Sequence, residues 1–180
     1  DYQYTMTLIS TQHNKLGGTA GKFMKTTFTP ALFERMKAAG DEMAPYVNTA
    51  RYDDTPESGI YGFLENPRFA SGYAALFNCF AFVSETHMLK PFDSRVQSTI
   101  RLIDIMVKYS SENAVIIQEK RKQSDAYFKS LKEHVLGWES DTSIYETIMF
   151  KGYESYRKKS KVTGTDQLYF DQTIPYTRSI

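Results

Sequence analysis

Cys79-Phe80-Ala81-Phe82-Val83, followed by Ser84-Glu85-Thr86-His87, is the stretch that decides the fold. A short continuous apolar run is the pattern of a strand covered on both faces, and this one ends abruptly in polar residues. Downstream, Asp93 can cap a helix from about residue 94, in which Val96, Ile100, Ile103 and Val107 form one apolar stripe, widened by Leu102 and Met106. Burying such a stripe against a sheet stabilises by roughly 1.5–3 kcal/mol per large side chain. The expectation is an α/β fold, with the Phe80–Val83 strand internal to a mixed sheet and that helix covering one face. A buried strand that delivers polar groups at its C-terminal end is a common way to build a site in such a sheet.

Upstream, Tyr4, Met6 and Leu8 alternate with Thr5 and Thr7, which predicts a strand near the start of the chain. Asp1 is no initiator methionine, so the chain is expected to begin in mid-structure. Residues 14–21 are rich in turn formers. Thr29-Pro30 then reads as an N-cap and first helical position, for a helix over about residues 30–42. Pro45-Tyr46-Val47-Asn48 and Gly59-Ile60-Tyr61-Gly62-Phe63 look extended, on either side of the polar loop Asp53-Asp54-Thr55-Pro56-Glu57-Ser58. After the stripe, helical pattern continues to about Glu133, with a break near Ser110-Ser111. Beyond Gly137-Trp138 the texture changes: residues 144–150 alternate, Val162-Thr163-Gly164 reads as a turn and Leu168-Tyr169-Phe170 as a strand, predicting a small C-terminal β annex.

The bulk numbers narrow the class. The 180 residues, 41% hydrophobic, suit one folded unit. Lys plus Arg number 22 against 21 acidic residues, and the basic clusters Lys120-Arg121-Lys122 and Arg157-Lys158-Lys159 are short, so nucleic acid is not an expected partner. Cys79 is the only cysteine, which excludes an internal disulfide and a thiolate zinc cluster. No apolar window approaches the ~18 residues of a membrane span, and none is expected.

The sharpest chemical feature is the strand end. Residues two apart on a strand share a face, so Glu85 and His87 are expected on one side. A carboxylate held against apolar walls has its proton affinity raised, as a general base near neutral pH requires. The plainer reading is a strand end whose polar groups cap backbone or pair with Lys90 or Arg95. No metal site is expected within the chain, because His13, His87 and His134 are scattered and none has a further ligand three or four residues on. Gly17-Gly18-Thr19-Ala20-Gly21-Lys22 resembles a phosphate loop, but Leu16 stands at the first glycine position and Phe23 replaces the hydroxyl residue, so it reads as a flexible turn. No GxSxG elbow is present. Arg68 could grip a carboxylate in a bidentate contact or simply anchor its own loop.

Ser84-Glu85-Thr86-His87-Met88-Leu89-Lys90-Pro91-Phe92, together with Pro67-Arg68-Phe69-Ala70-Ser71-Gly72-Tyr73, Asp1-Tyr2-Gln3-Tyr4-Thr5-Met6-Thr7 and Pro45-Tyr46-Val47-Asn48, resembles a bacterial branch of the zinc carboxypeptidases of the carboxypeptidase A type. The resemblance spans roughly residues 1–120. It implies a mixed, mostly parallel sheet flanked by helices, with residues 1–136 as the C-terminal half of a catalytic domain and 137–180 as a β-rich extension. It further implies Glu85 as the general base for cleavage of a C-terminal peptide or related amide bond. Arg68 and Tyr73 are its weaker substrate-binding candidates. The family's His-x-x-Glu pair and further histidine have no counterpart in this chain, so zinc is expected only in an intact parent, held by the upstream half of the same domain. A peptide substrate and a periplasmic or extracellular location are implied. The alternative from another class is a non-catalytic peptide- or glycan-binding module, and a third reading is a structural domain of a larger surface protein.

Overall fold

The computed structural model describes every residue except 52 and 53; Asp53 of the polar loop thus lies outside the described residues. At its centre is β1 (Met6–Ser10), which pairs in parallel with the short β2 (Ala44–Pro45) and antiparallel with β3 (Phe82–Thr86). The fold is mixed α/β, and the sheet order is β2-β1-β3. Alternation along β1 sends Met6 and Leu8 into the main core and leaves Thr7 and Ile9 for the opposite face. The register carries this alternation to β3, where Glu85 stands opposite Thr7 and Val83 opposite Ile9.

One expectation is corrected here. The Phe80–Val83 run does not lie inside the sheet, because β3 is at one end of the strand order. Its apolar surplus serves the helices instead. Phe80 packs 5.7 Å from Phe23 and 5.8 Å from Phe28, and Phe82 lies 5.0 Å from Phe28, ring centre to ring centre. An apolar run reports burial without saying which neighbour provides it.

The first helical run is longer than expected. The turn-rich residues after β1 form α1 (His13–Leu16) and α2 (Gly18–Phe23), and α2 passes through a wide π turn (Met24–Phe28) directly into α3 (Thr29–Ala38). Thr29 is therefore mid-helix rather than a cap, and its N–H bonds to the Met24 carbonyl five residues back. Proline in a helix lacks an N–H and its ring crowds the preceding turn. The widened turn before Pro30 gives that ring room. Leu16, Ala20, Phe23, Met24, Phe28, Leu32 and Met36 are all buried in the main core.

A short helix α4 (Ala70–Ala75) precedes β3; α5 (Phe92–Glu112) and α6 (Ala114–Ser130) follow it. The helix break falls at Asn113, three residues beyond Ser110. Asp93 lies in the first turn of α5 without capping it. The buried face of α5 is Ser98, Leu102, Ile105 and Tyr109, while Ile100, Ile103 and Val107 of the expected stripe are more than half exposed. Leu102 belongs to the core; the stripe beside it does not. Both faces of this helix are apolar, and periodicity alone could not rank them.

The annex is a long antiparallel hairpin, β4 (Met149–Lys159) with β5 (Asp166–Ser179), broken by a bulge after Tyr153. Its base is sealed to the chain's first residues. Phe150 is fully buried with Tyr4 and Tyr176, and Gln3 Nε2 donates to the carbonyls of Gly152 and Tyr176 at 2.9 Å each. Gly152 is required there, since a Cβ would stand 2.4 Å from the Tyr176 ring.

His87 ties the end of β3 to the same place. Its Nδ1 accepts the Leu89 N–H at 3.1 Å, so Nε2 carries the proton and donates to Asp1 Oδ1 at 2.8 Å. The Tyr2 ring lies edge-on at 4.4 Å. Burial first, then the Lys90 charge, pushes the His87 pKa down from 6.5 to about 4, against the pull of the Asp1 carboxylate toward the imidazolium.

Two outcomes check this description. Leu102→Ala should cost about 2–5 kcal/mol in urea unfolding, and Ile103→Ala only about 0.5 kcal/mol; the reverse ranking would return the buried face to the sequence-derived stripe. The second concerns acid. A folded pKa of about 4 against an ordinary 6.5 means the unfolded chain binds the extra proton between these values. The contribution is therefore present above pH 6.5 and is lost as pH falls toward 4. Urea midpoints across that window should fall less steeply for His87→Gln than for the parent sequence, and equal slopes would place the acid sensitivity elsewhere.

Candidate functional site

Helices cover one face of the sheet. The other, carrying Thr7, Ile9, Val83 and Glu85, is met by Tyr46 and by the segment of residues 63–70. Between them lies a cavity of about 210 Å³. Ile9 and Val83 form its floor, and Tyr46, Phe63 and Phe69 its walls. The rings brace one another edge to face, with Tyr46 and Phe63 6.0 Å apart and Phe63 and Phe69 5.4 Å apart. Glu65, Ala70 and Glu85 complete the lining.

Hydrogen bonds hold the covering segment in place. Gln12 Nε2 donates to the Phe63 carbonyl at 2.9 Å, the Tyr61 N–H to the Asn48 carbonyl at 2.7 Å, and Lys15 Nζ to the Glu65 carbonyl. The Glu65 side chain is buried, and its Oε2 accepts the Ser71 N–H at 3.1 Å and the Ser71 hydroxyl. Glu65 thus caps the first turn of α4 from outside the helix. Gly72 allows the loop to fold back that closely, because a Cβ there would stand 2.3 Å from the Asn66 carbonyl oxygen and 2.5 Å from that of Glu65.

Glu85 lies on the cavity wall but is exposed, not enclosed by apolar groups as the sequence suggests. Its carboxylate makes no hydrogen bond or ion pair among the described residues. Its charge is felt by two phenols: burial, then Glu85, holds Tyr46 above its usual pKa, and burial chiefly takes Tyr2 to about 12, with Glu85 contributing. Both remain protonated at neutral pH. His87 is not a partner of Glu85, since both its ring nitrogens are used elsewhere.

The other candidates divide. Arg68 is exposed, with its guanidinium 4.7 Å over the Phe69 ring, and so stands one aromatic ring away from the cavity. Tyr73 is 57% exposed on α4, packs on Phe77 and does not line the cavity. Tyr46, Phe63, Glu65 and Phe69 went unnoticed as site residues in the sequence. Their one signal was the proximity of Phe69 to Arg68; nothing local marks Glu65, whose partner Ser71 is six residues on.

A larger and more open cavity of about 440 Å³ lies beside the glycine-rich stretch, which is the start of α2 and not a flexible turn. His13, Lys22, Lys25, Tyr127 and Trp138 line it. Burial, then Lys25, lowers the pKa of His13. The smaller cavity is the better candidate because carboxylates and aromatic walls converge there. Among the described residues no group of three or more His, Cys, Asp or Glu side chains could hold a metal ion. No described helix is long and apolar enough to cross a membrane. No protein-family model, no curated protein and no solved structure matches the chain.

Proposed function

We propose that this chain is the C-terminal half of a zinc carboxypeptidase-like catalytic domain, with Glu85 as the general base in hydrolysis of a C-terminal peptide or related amide bond. The observation that carries the reading is the position of Glu85: a carboxylate on a strand, without a hydrogen bond or ion pair among the described residues, at the rim of an aromatic-walled cavity of side-chain size. A base needs that freedom, since a carboxylate locked in an ion pair has its proton affinity spent. Glu85 would take a proton from the attacking water and pass it to the leaving amine.

Two further features fit a unit completed by an upstream half. β3 ends the sheet with one edge free of strand pairing among the described residues, and Met88, Leu89, Phe92, Ile100, Ile103 and Val107 are exposed in the segment that follows it. Open edges and contiguous apolar faces are what proteins ordinarily cover. The zinc and its ligands belong, in this reading, to that upstream half. The chain alone would be inert, having a base but nothing to generate its nucleophile. A second reading, a peptide- or glycan-binding module without catalysis, is favoured by the aromatic walls.

The test is Glu85→Gln in the full-length protein, with zinc content and melting temperature measured beside turnover of peptide substrates. Turnover should fall by about 100- to 10,000-fold with fold and zinc intact. A folded, zinc-loaded variant as fast as the parent would remove Glu85 from the role and leave the binding module as the better reading.

A further inference from the structure

We propose that the cavity walled by Tyr46, Phe63 and Phe69 is a receptor for an alkyl cation, the ammonium or guanidinium end of a basic side chain. The inference rests on the preceding reading only in taking the occupant to be part of a peptide.

The cavity is too small for an extended ligand and suits one long side chain, at about 210 Å³. Three of its walls are the rings of Tyr46, Phe63 and Phe69, held in mutual edge-to-face contact. Ring faces carry partial negative charge and attract cations, most strongly where water is excluded. Two carboxylates, Glu65 and Glu85, line the same space, and no Lys, Arg or His does. The nearest cations are turned to other work. Lys15 bonds the Glu65 backbone carbonyl, and Arg68 lies over the Phe69 ring. Lys15 offsets part of the Glu65 charge, but the Glu85 carboxylate has no such partner among the described residues.

These facts rank the possible occupants. An anion would meet two like charges at close range. A neutral alkyl or aromatic group would suit the walls yet cover the carboxylates without pairing them, which is costly. A cation on an alkyl stem satisfies both, since the stem meets Ile9 and Val83 while the head meets the rings and Glu65. Of the two acids, Glu65 is set to select the ligand. It is buried at 4% exposure and held in one orientation by Ser71 through Oε2, and among the described residues Oε1 accepts no hydrogen bond.

The experiment uses the 180-residue chain and needs neither zinc nor turnover. The probes n-butylammonium, n-butylguanidinium, neutral 1-butanol and anionic butanoate are titrated while the ring resonances of Tyr46, Phe63 and Phe69 are followed. At least one cation should bind about tenfold more tightly than 1-butanol, with butanoate weakest. Phe63→Leu, which keeps an apolar wall but removes a ring, and Glu85→Gln should each reduce that preference several-fold. Glu65→Gln should abolish it if the variant folds; if it does not, the other two substitutions decide. Equal binding of 1-butanol and the cations, strongest binding of butanoate, shifts confined to Tyr127 and Trp138, or an unchanged preference in both Phe63→Leu and Glu85→Gln would each overturn the proposal. Failure here leaves the Glu85→Gln turnover result in the full-length protein standing by itself, and a failed turnover test leaves a cation site standing.

Discussion

The structure depends on the two-sidedness of β1. It is the strand with partners on both edges, and its alternation assigns every neighbouring group to one of two environments. Met6 and Leu8 anchor the helical core, while Thr7 and Ile9 take the opposite face, where Ile9 lines the cavity. A slip of one residue in its pairing with β3 would exchange these sets, placing Glu85 against the core and Phe82 on the open face. The burial of Phe82 against Phe28 and the availability of Glu85 are thus one constraint seen from two sides.

Much of this was legible in the sequence because it rests on local pattern. The alternation Tyr4, Met6, Leu8 marked β1, the texture change past Trp138 marked the hairpin, and the polar end of an apolar run marked Glu85. What escaped was relational. Cys79 to Val83 is apolar whether its cover is strands or helices, and α5 is apolar on two faces, of which packing chose the one with Leu102 and Ile105. Pro30 looked like a helix start because the i to i+5 widening that accommodates it has no residue signature. The cavity was the least readable feature, since Tyr46, Phe63 and Phe69 meet only once their segment is laid across the sheet.

The proposals concern one small region, and the molecule invests heavily in it. Lys15 and Gln12 leave the first helical turn to hold the covering segment, and Ser71 pins Glu65 through two hydrogen bonds. Rigid support of this kind keeps an aromatic wall from collapsing into its own cavity. Ile100, Ile103 and Val107 of α5, and Met88 and Leu89 after β3, are by contrast exposed.

The wide turn at Met24–Phe28 also acts as a phase corrector. The buried residues Met24, Phe28, Leu32 and Met36 repeat every four positions. In a regular α-helix at about 100° per residue, such spacing drifts by about 40° each step, or about 120° over the three steps. One turn wound more slowly takes up part of that drift and keeps four side chains aimed at one core. The helix thereby keeps to one core a repeat that ordinary winding would carry around its side.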